Sequence, residues 1–251
     1  MCLKYGKNRE LSDNTVYFTP EINNVIEEVS DCRDLGVQLE NNGSFDLHIE
    51  NIVKKVKRLT GWVLRSFVNR TLPFMRKMWT TIIRPHLDYC SQLWSPPEGP
   101  TMDKLERLQY FFTGLIPEIR NMSYEERLKK LKITSLQRRY DRYRIFYMWK
   151  IKNGVVPNCG IFESTGSNSR QGCKFIIPKT PNNKWGRLKD RSFQVMGPRC
   201  WNSLPCDIRN SKETEFLLFK KEVDEYLETV KDQPRVGSTV HSKNGLYDII
   251  V

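Results

Sequence analysis

The segment Trp79–Pro97, WTTIIRPHLDYCSQLWSPP, is the part of this chain around which we expect the rest to pack. Its large apolar side chains recur at the three- and four-residue spacing of one helix face. Pro85 lies inside the pattern, so we expect it either to kink one helix or to begin a second helix after Arg84. The predicted buried face contains Trp79, Ile82, Ile83, His86, Leu87, Cys90, Leu93 and Trp94, and the other side contains Arg84, Asp88, Ser91 and Gln92.

The length and composition indicate an intracellular protein with one or two domains. The 251 residues are enough to bury a real core, and 39% of them are hydrophobic. No run of about 18 apolar residues occurs, which predicts that the chain has no transmembrane helix. The first ten residues, MCLKYGKNRE, lack the apolar core of a signal peptide. We therefore expect a nuclear or cytoplasmic protein without a membrane partner.

The distribution of charge indicates a polyanionic partner. The net charge is +12, but residues 41–210 alone carry 31 basic and 13 acidic side chains, a net of +18. Residues 1–40 carry 4 basic and 8 acidic side chains and residues 211–251 carry 6 and 8, so the basic middle lies between two acidic ends. Nucleic acid is the commonest partner of such a surface. A solvated basic surface without a ligand is the alternative.

The residues that usually form catalytic or metal sites do not assemble into a known pattern. The seven cysteines include no C-x-x-C pair, and three histidines cannot complete a zinc site by local spacing. A phosphate loop, a G-x-S-x-G motif, an H-E-x-x-H motif and an Asp-Asp pair are all absent from the sequence. A cysteine paired with His48 or His86 could be a nucleophile, but a packed core histidine is the simpler interpretation of His86. We predict no catalytic residue, metal ligand or cofactor in this chain.

Helix patterns and capping residues organise residues 44–154. Ser44 is placed to cap a helix from Phe45, whose apolar face repeats as far as Phe67. Ser123 with Glu126, and Thr134 with Gln137, match the capping box that begins a helix. Asn153-Gly154 is a typical helix end. Further helical patterns surround Pro73, residues 105–115 and residues 214–230.

The rest of the chain predicts short strands and loops. The strand candidates are Thr15–Thr19, Asn24–Val29, Leu35–Leu39, Cys173–Ile177 and Ser192–Met196, with a helical turn at Pro198–Leu204. We predict a mainly α (α+β) fold: a helical bundle with a short β-rich N-terminal segment and a small β-containing C-terminal part. The predicted divisions are 1–43, β segment; 44–154, helical domain; 155–172, linker; 173–233, small domain with a final helix; and 234–251, disordered tail.

Eight segments follow one another along the chain in a recognisable order. They are MCLKYGKN (1–8), DLGVQL (34–39), HIENIVKKVKRLTGWVLRSF (48–67), IIRPHLDYCSQLWSP (82–96), KLERLQYFFTGLI (104–116), YEERLKKLKITSLQRRYDRYRIFYMWKIKNG (124–154), RSFQVMGPRCWNSLPCDIRN (191–210) and FKKEVDEYL (219–227). In order and spacing they resemble the end of a jockey-like non-LTR (LINE) retrotransposon reverse transcriptase. The resemblance covers about residues 1–235 and implies that residues 44–154 form a thumb-like domain. It places the fingers, most of the palm and the catalytic aspartates before Met1, and it includes no endonuclease domain.

The resemblance implies an RNA-directed DNA polymerase fragment that binds template–primer nucleic acid without its own catalytic centre. Magnesium would belong to the missing palm, so we expect the chain alone to be inactive as a polymerase. RNA and RNA–DNA hybrid are the expected partners, contacted at phosphates without base reading. The alternative is a host-adopted helical module that binds another protein. The nucleic-acid-binding candidates are Lys54, Lys55, Lys57, Arg58, Arg65, Arg138, Arg139 and Arg142.

Overall fold

The computed structural model describes residues 2–3, 28–165, 173–210, 215–232 and 234, and this part of the chain is mainly helical. Four short strands, β1 to β4, precede the helices, at Cys2–Leu3, Glu28–Val29, Asp31–Asp34 and Val37–Glu40. The helices are α1 (Asp46–Ser66), α2 (Leu72–Met78), a π-helix (Trp79–Ile83), α3 (Arg84–Asp88), α4 (Ser91–Trp94), α5 (Pro100–Gly114), α6 (Tyr124–Leu131), α7 (Leu136–Lys152), α8 (Lys184–Arg191), α9 (Phe193–Asn202), α10 (Cys206–Arg209) and α11 (Phe216–Thr229).

Two compact units share the chain, residues 1–54 and residues 55–251, and the division between them falls within α1. In the first unit β3 and β4 form an antiparallel hairpin in which Asp34 pairs with Val37. Leu35 and Gly36 form its two-residue turn, and both have positive φ, as a hairpin turn of this length requires. The observed strand β4 therefore begins two residues later than the strand predicted at Leu35–Leu39, because Leu35 and Gly36 form the turn.

The other N-terminal predictions can be followed only in part. β2 is the end of the predicted strand at Asn24–Val29, and it pairs in parallel with β1. The predicted strand at Thr15–Thr19 lies outside the described residues. The predicted helix after Ser44 is confirmed as α1, where Glu40 adds a second cap by accepting the Leu47 N–H at 2.9 Å.

The central segment continues through Pro85 by means of a π-turn. The Arg84 N–H donates to the carbonyl of Trp79, five residues earlier, and Pro85 then enters the first turn of α3. Since proline has no N–H to donate, a widened turn just before it accommodates the lost bond without ending the helical run. Trp79, Ile83 and Leu87 are buried, as the pattern predicts.

The predicted apolar face fails beyond Asp88, because Cys90 has a left-handed backbone conformation with φ of 49°. This residue separates α3 from α4 and changes the direction in which the following side chains point. Trp94 is buried as predicted, and its indole N–H donates to the Tyr89 carbonyl at 2.7 Å. However, Leu93 is exposed and Ser91 is buried, which reverses their predicted positions. A single continuous helix periodicity cannot describe both sides of this break.

The C-terminal half of α7 belongs to an aromatic core shared with later helices. Trp149 and Trp201 both stack against Phe219 of α11, with ring centroids 5.6 and 5.9 Å apart. Phe162 and Phe175, which lie on either side of residues 166–172, belong to the same buried cluster. One core thus contains Phe162, a residue of the predicted 155–172 linker, together with residues from both sides of that linker.

The strand predicted at Ser192–Met196 is wrong, since Phe193–Asn202 forms α9. Val195, Pro198 and Trp201 are buried at three-residue intervals, so burial against α7 overrides the local preference for strand. Cys173–Ile177 forms no named strand and makes only an isolated bridge between Phe175 and Ser164. The Asn202 amide replaces a strand neighbour, because it accepts the Phe175 N–H at 3.0 Å and donates to the Phe175 carbonyl at 2.8 Å.

The two predicted capping boxes have different outcomes. Ser123 and Glu126 form the complete box at the start of α6. At α7 the cap is Ser135, whose hydroxyl accepts the Arg138 N–H, so the box predicted at Thr134 and Gln137 is wrong by one residue. The predicted stop at Asn153-Gly154 is confirmed, with Gly154 at a φ of 69°. The predicted final helix is confirmed as α11.

Ser123→Ala is expected to lower the free energy of unfolding by about 1 kcal/mol, because it removes a side-chain acceptor from the first turn of α6. The matched control is Thr134→Ala, which removes an exposed hydroxyl that the pattern also marks as a cap. Urea denaturation of both variants measures the difference. Equal losses in the two variants would contradict the assignment of the cap.

Candidate nucleic-acid interface

Arg139 of α7 is hydrogen-bonded to a carboxylate of α3. Its guanidinium donates two hydrogen bonds to Asp88, at 2.7 and 2.8 Å, in the bidentate geometry that favours arginine over lysine. The Tyr143 hydroxyl accepts a further bond from Arg139 and lies 3.2 Å from the same carboxylate. Arg139 therefore fixes α7 against α3.

Arg142 makes the equivalent connection to α11. Its guanidinium donates two bonds to the carboxylate of Asp224, one of them at 2.6 Å. The guanidinium also lies over the ring of Phe146, 4.4 Å from the ring centroid. The charge of this side chain is therefore paired with Asp224, and one face of its guanidinium plane is covered by Phe146.

Arg138 closes the C-terminal end of α11. It donates to the carbonyls of Leu227 and Val230, at 2.6 and 2.5 Å, where a helix end leaves carbonyls without partners. Asp232 lies 3.7 Å from the same guanidinium. Phosphate binding by these three arginines of α7 stays a prediction, and it requires each of them to exchange a protein acceptor for a phosphate.

The basic residues predicted on α1 have a different environment. Lys54, Lys55, Arg58 and Arg65 are exposed, and Lys57 is half-buried. Because successive residues rotate by about 100°, Lys54, Arg58 and Arg65 fall within roughly 40° of one another around the helix. Lys55 and Lys57 lie on its two flanks. We call these five residues the α1 basic strip.

Among the described residues, the α1 basic strip has no acidic partners of the kind that the α7 arginines have. Within the described residues, none of its five cations forms an ion pair. Exposed ammonium and guanidinium groups of this kind are the groups that neutralise phosphates and release counterions. The structure thus separates the predicted cations into a paired set on α7 and a set on α1 that has no ion pair among the described residues and is exposed except at half-buried Lys57.

Trp62 lies on the same side of α1 as the strip and was missed by the sequence interpretation. Its side chain is 43% exposed. It follows Arg58 by four residues and precedes Arg65 by three, the two spacings at which helix side chains are neighbours. Helix geometry alone could have placed Trp62 on this side of α1. A rotation of 100° per residue puts it between Arg58 and Lys55 and away from buried Val56 and Val63.

His86 lies close enough to the α1 basic strip for the charge of Lys55 to affect the pKa of His86. Burial lowers the pKa of His86, and the ammonium of Lys55 lowers that pKa further. His86 is only half-buried, which corrects the prediction of a packed core histidine. The imidazole is therefore neutral near pH 7, and the positive charge of this face comes from lysine and arginine side chains.

The described residues include carboxylate, imidazole and thiol groups of the kinds that bind metal ions or act as nucleophiles. No group of three or more His, Cys, Asp or Glu side chains in that part of the chain is arranged to hold a metal ion. The Cys200 thiol has a raised pKa, caused first by burial and second by the nearby Asp141 carboxylate, which disfavours the nucleophilic thiolate. Among the described helices, none combines the length and the apolar character needed to cross a membrane.

Comparisons with protein-family models, with curated proteins and with solved structures found no match for this chain. We therefore infer its function from the geometry of its own residues.

Proposed function

We propose that this chain binds nucleic acid through the α1 basic strip, as the C-terminal, thumb-like part of a LINE-type RNA-directed DNA polymerase. In this role the strip holds the phosphates of RNA or of an RNA–DNA template–primer hybrid. Chemistry would belong to a separate catalytic palm that also holds magnesium. The helices from α1 to α7 are then the thumb-like bundle.

The observation that carries the proposal is the contrast between α1 and α7. Both helices are rich in arginine or lysine, but the α7 arginines bind protein acceptors while the α1 cations face solvent. A cation that already has a bidentate carboxylate partner has less to gain from a phosphate. Phosphate binding without base contacts also needs no precise pocket, so an exposed helix face is sufficient.

A second candidate is a host-adopted module that binds a protein through its helical bundle. The observation that favours it is on α11, where Leu217 is 74% exposed and Leu218 is 44% exposed. These two adjacent leucines lie on the exposed side of α11, whose other exposed residues are Lys221, Glu225, Glu228 and Thr229, and exposed apolar side chains that adjoin one another are a feature of protein-binding surfaces. The nucleic-acid proposal is preferred, because the α1 basic strip supplies both charge and an exposed aromatic side chain.

Salt dependence provides the test of the preferred function. If six phosphates are neutralised, log K should fall with log salt at a slope of about −4 to −5. Reversing Lys54, Lys55, Lys57 and Arg58 to glutamate should remove about 3 from the magnitude of that slope and weaken binding to all sequences alike. Fluorescence anisotropy with hybrid duplex, duplex DNA and single-stranded RNA measures both effects.

The matched control reverses four other exposed cations, Lys104, Arg107, Lys129 and Lys130, which gives the same change in net charge. This control should retain most of the slope, because its residues lie on α5 and α6. Equal losses in the two variants would show that net charge alone drives binding. Absence of binding at low salt would overturn the proposal and favour the protein-binding module.

A further inference from the structure

Trp62 is one of two exposed tryptophans in this chain, and it is the one that lies beside the α1 basic strip. Trp79, Trp94, Trp149 and Trp201 are each at most 3% exposed, whereas Trp62 is 43% exposed and Trp185 of α8 is 48% exposed. A large aromatic ring that stays in solvent gains nothing for folding from its exposed surface. The exposed ring of Trp62 is therefore available to a ligand that the surrounding cations attract.

The indole of Trp62 packs against the ring of Phe67. It makes an edge-to-face contact with Phe67, with centroids 5.7 Å apart and planes at 89°. Phe67 in turn contacts Phe74 at 5.2 Å. In such a contact Phe67 covers at most one face of the indole, so at least one face remains clear of that ring. The result is a pre-oriented aromatic surface, which lowers the entropy cost of binding a flat ligand.

The cations around Trp62 are placed to hold the backbone on both sides of a stacked base. Arg58 lies one turn before Trp62 and Arg65 lies one turn after it, and Lys55 continues the same side of α1. Neither arginine forms an ion pair with a described residue. Positive charge combined with an exposed ring is the arrangement by which proteins bind unpaired nucleotides.

We propose that Trp62 is a base-stacking surface, which makes the α1 basic strip bind unpaired nucleotides in preference to duplex. This inference rests on the proposed function, and it adds the ligand class. A duplex buries the faces of its bases in its own stack and offers the strip only phosphates. A single strand, or an unpaired end next to a hybrid, offers phosphates to Arg58 and Arg65 and a base face to Trp62.

The test separates the base from the phosphate by using abasic oligonucleotides. The full chain is titrated with an eight-nucleotide oligothymidine and with an oligonucleotide of the same length and charge in which every base is absent. The chain should bind the intact strand on the order of 10-fold more tightly, because each stacked base contributes a factor of about 5 to 150. In Trp62→Ala the two oligonucleotides should bind equally, and Trp62→Phe should retain part of the difference.

Trp185→Ala is the matched control, since Trp185 is also exposed, at 48%, but lies on α8 away from the strip sequence. It should keep the preference for intact bases. Binding that is equal for both oligonucleotides in the unmodified chain would overturn the stacking inference and leave the phosphate-binding function standing. Absence of binding to either oligonucleotide at low salt would overturn both. A base preference that persists in Trp62→Ala would assign stacking to another residue and also overturn the inference.

Discussion

Trp201→Ala is expected to lower the free energy of unfolding by about 3–5 kcal/mol, enough to unfold a domain of ordinary stability. The side chain is 0% exposed and stacks against Phe219, while Phe175 contacts it edge to face at 5.8 Å. Its indole N–H donates to the Cys173 carbonyl at 3.0 Å. The substitution therefore opens a cavity between α9, α11 and residues 173–175, and it leaves a carbonyl without its donor. Urea denaturation followed by circular dichroism measures the loss.

Trp185→Ala provides the control for this prediction, because nearly half of its side chain is already in solvent. Its expected effect is within about 0.5 kcal/mol. Similar stability of the two variants would show that the aromatic core around Phe219 is not tightly packed. The comparison also tests the fold on both sides of residues 166–172, since Trp201 contacts residues from each.

Features of the fold that depend on a few adjacent residues could be predicted from the sequence. The capping box of Ser123 and Glu126 and the stop at Gly154 lie within one helical turn of the ends they define. The amphipathic pattern of α11 likewise repeats within its own residues. Local patterns of this kind determine helix ends because the unsatisfied backbone groups lie there.

Features that depend on distant residues could not be predicted. Thr134 and Ser135 are both able to cap α7, but Asp232 accepts the Ser135 N–H at 2.8 Å and its hydroxyl at 2.7 Å. This carboxylate lies 97 residues away in the sequence and selects the second hydroxyl. The left-handed Cys90 is similar, because no local glycine or asparagine marks the break that exposes Leu93.

The same limit applies to the candidate site. Charge counting identifies the cations of α1 and α7, but it cannot show which of them have partners. Asp88 and Asp224 lie 51 and 82 residues from the arginines that they bind. Trp62 was within reach of sequence reasoning, since helical geometry alone places it beside Arg58. An aromatic residue on a charged helix face is therefore as useful for predicting a binding site from the sequence as the charged residues around it.

A buried carboxylate on α5 predicts that stability depends on pH. Glu106 is 3% exposed, and it accepts hydrogen bonds from the Tyr124 hydroxyl at 2.5 Å and from the Leu136 N–H at 2.8 Å. Through these bonds it joins α5 to α6 and to the start of α7. Burial raises the pKa of Glu106 to about 7, since the two hydrogen bonds offset only part of the cost of removing its charge from water.

The sign of the pH dependence follows from this raised pKa. Between pH 4.5 and about pH 7 the folded chain holds a proton on Glu106 that the unfolded chain has released. The stabilisation that comes from protonation is therefore fully present below pH 4.5 and is lost as the pH rises through 7. At 1.36 kcal/mol per unit of pKa, the loss between pH 5 and pH 8 is about 2.5 kcal/mol.

Glu106→Gln should remove this component, because the amide stays neutral at every pH in the range. The free energy of unfolding of the unmodified chain should fall by about 2.5 kcal/mol more than that of Glu106→Gln between pH 5 and pH 8. At pH 5 both oxygens of protonated Glu106 can accept hydrogen bonds, whereas the amide nitrogen cannot, so the variant should be the less stable protein at that pH. The exposed Glu228→Gln variant is the control and should follow the pH dependence of the unmodified chain. Parallel stability curves for the unmodified chain and Glu106→Gln would mean that Glu106 titrates in the folded chain as it does in the unfolded one.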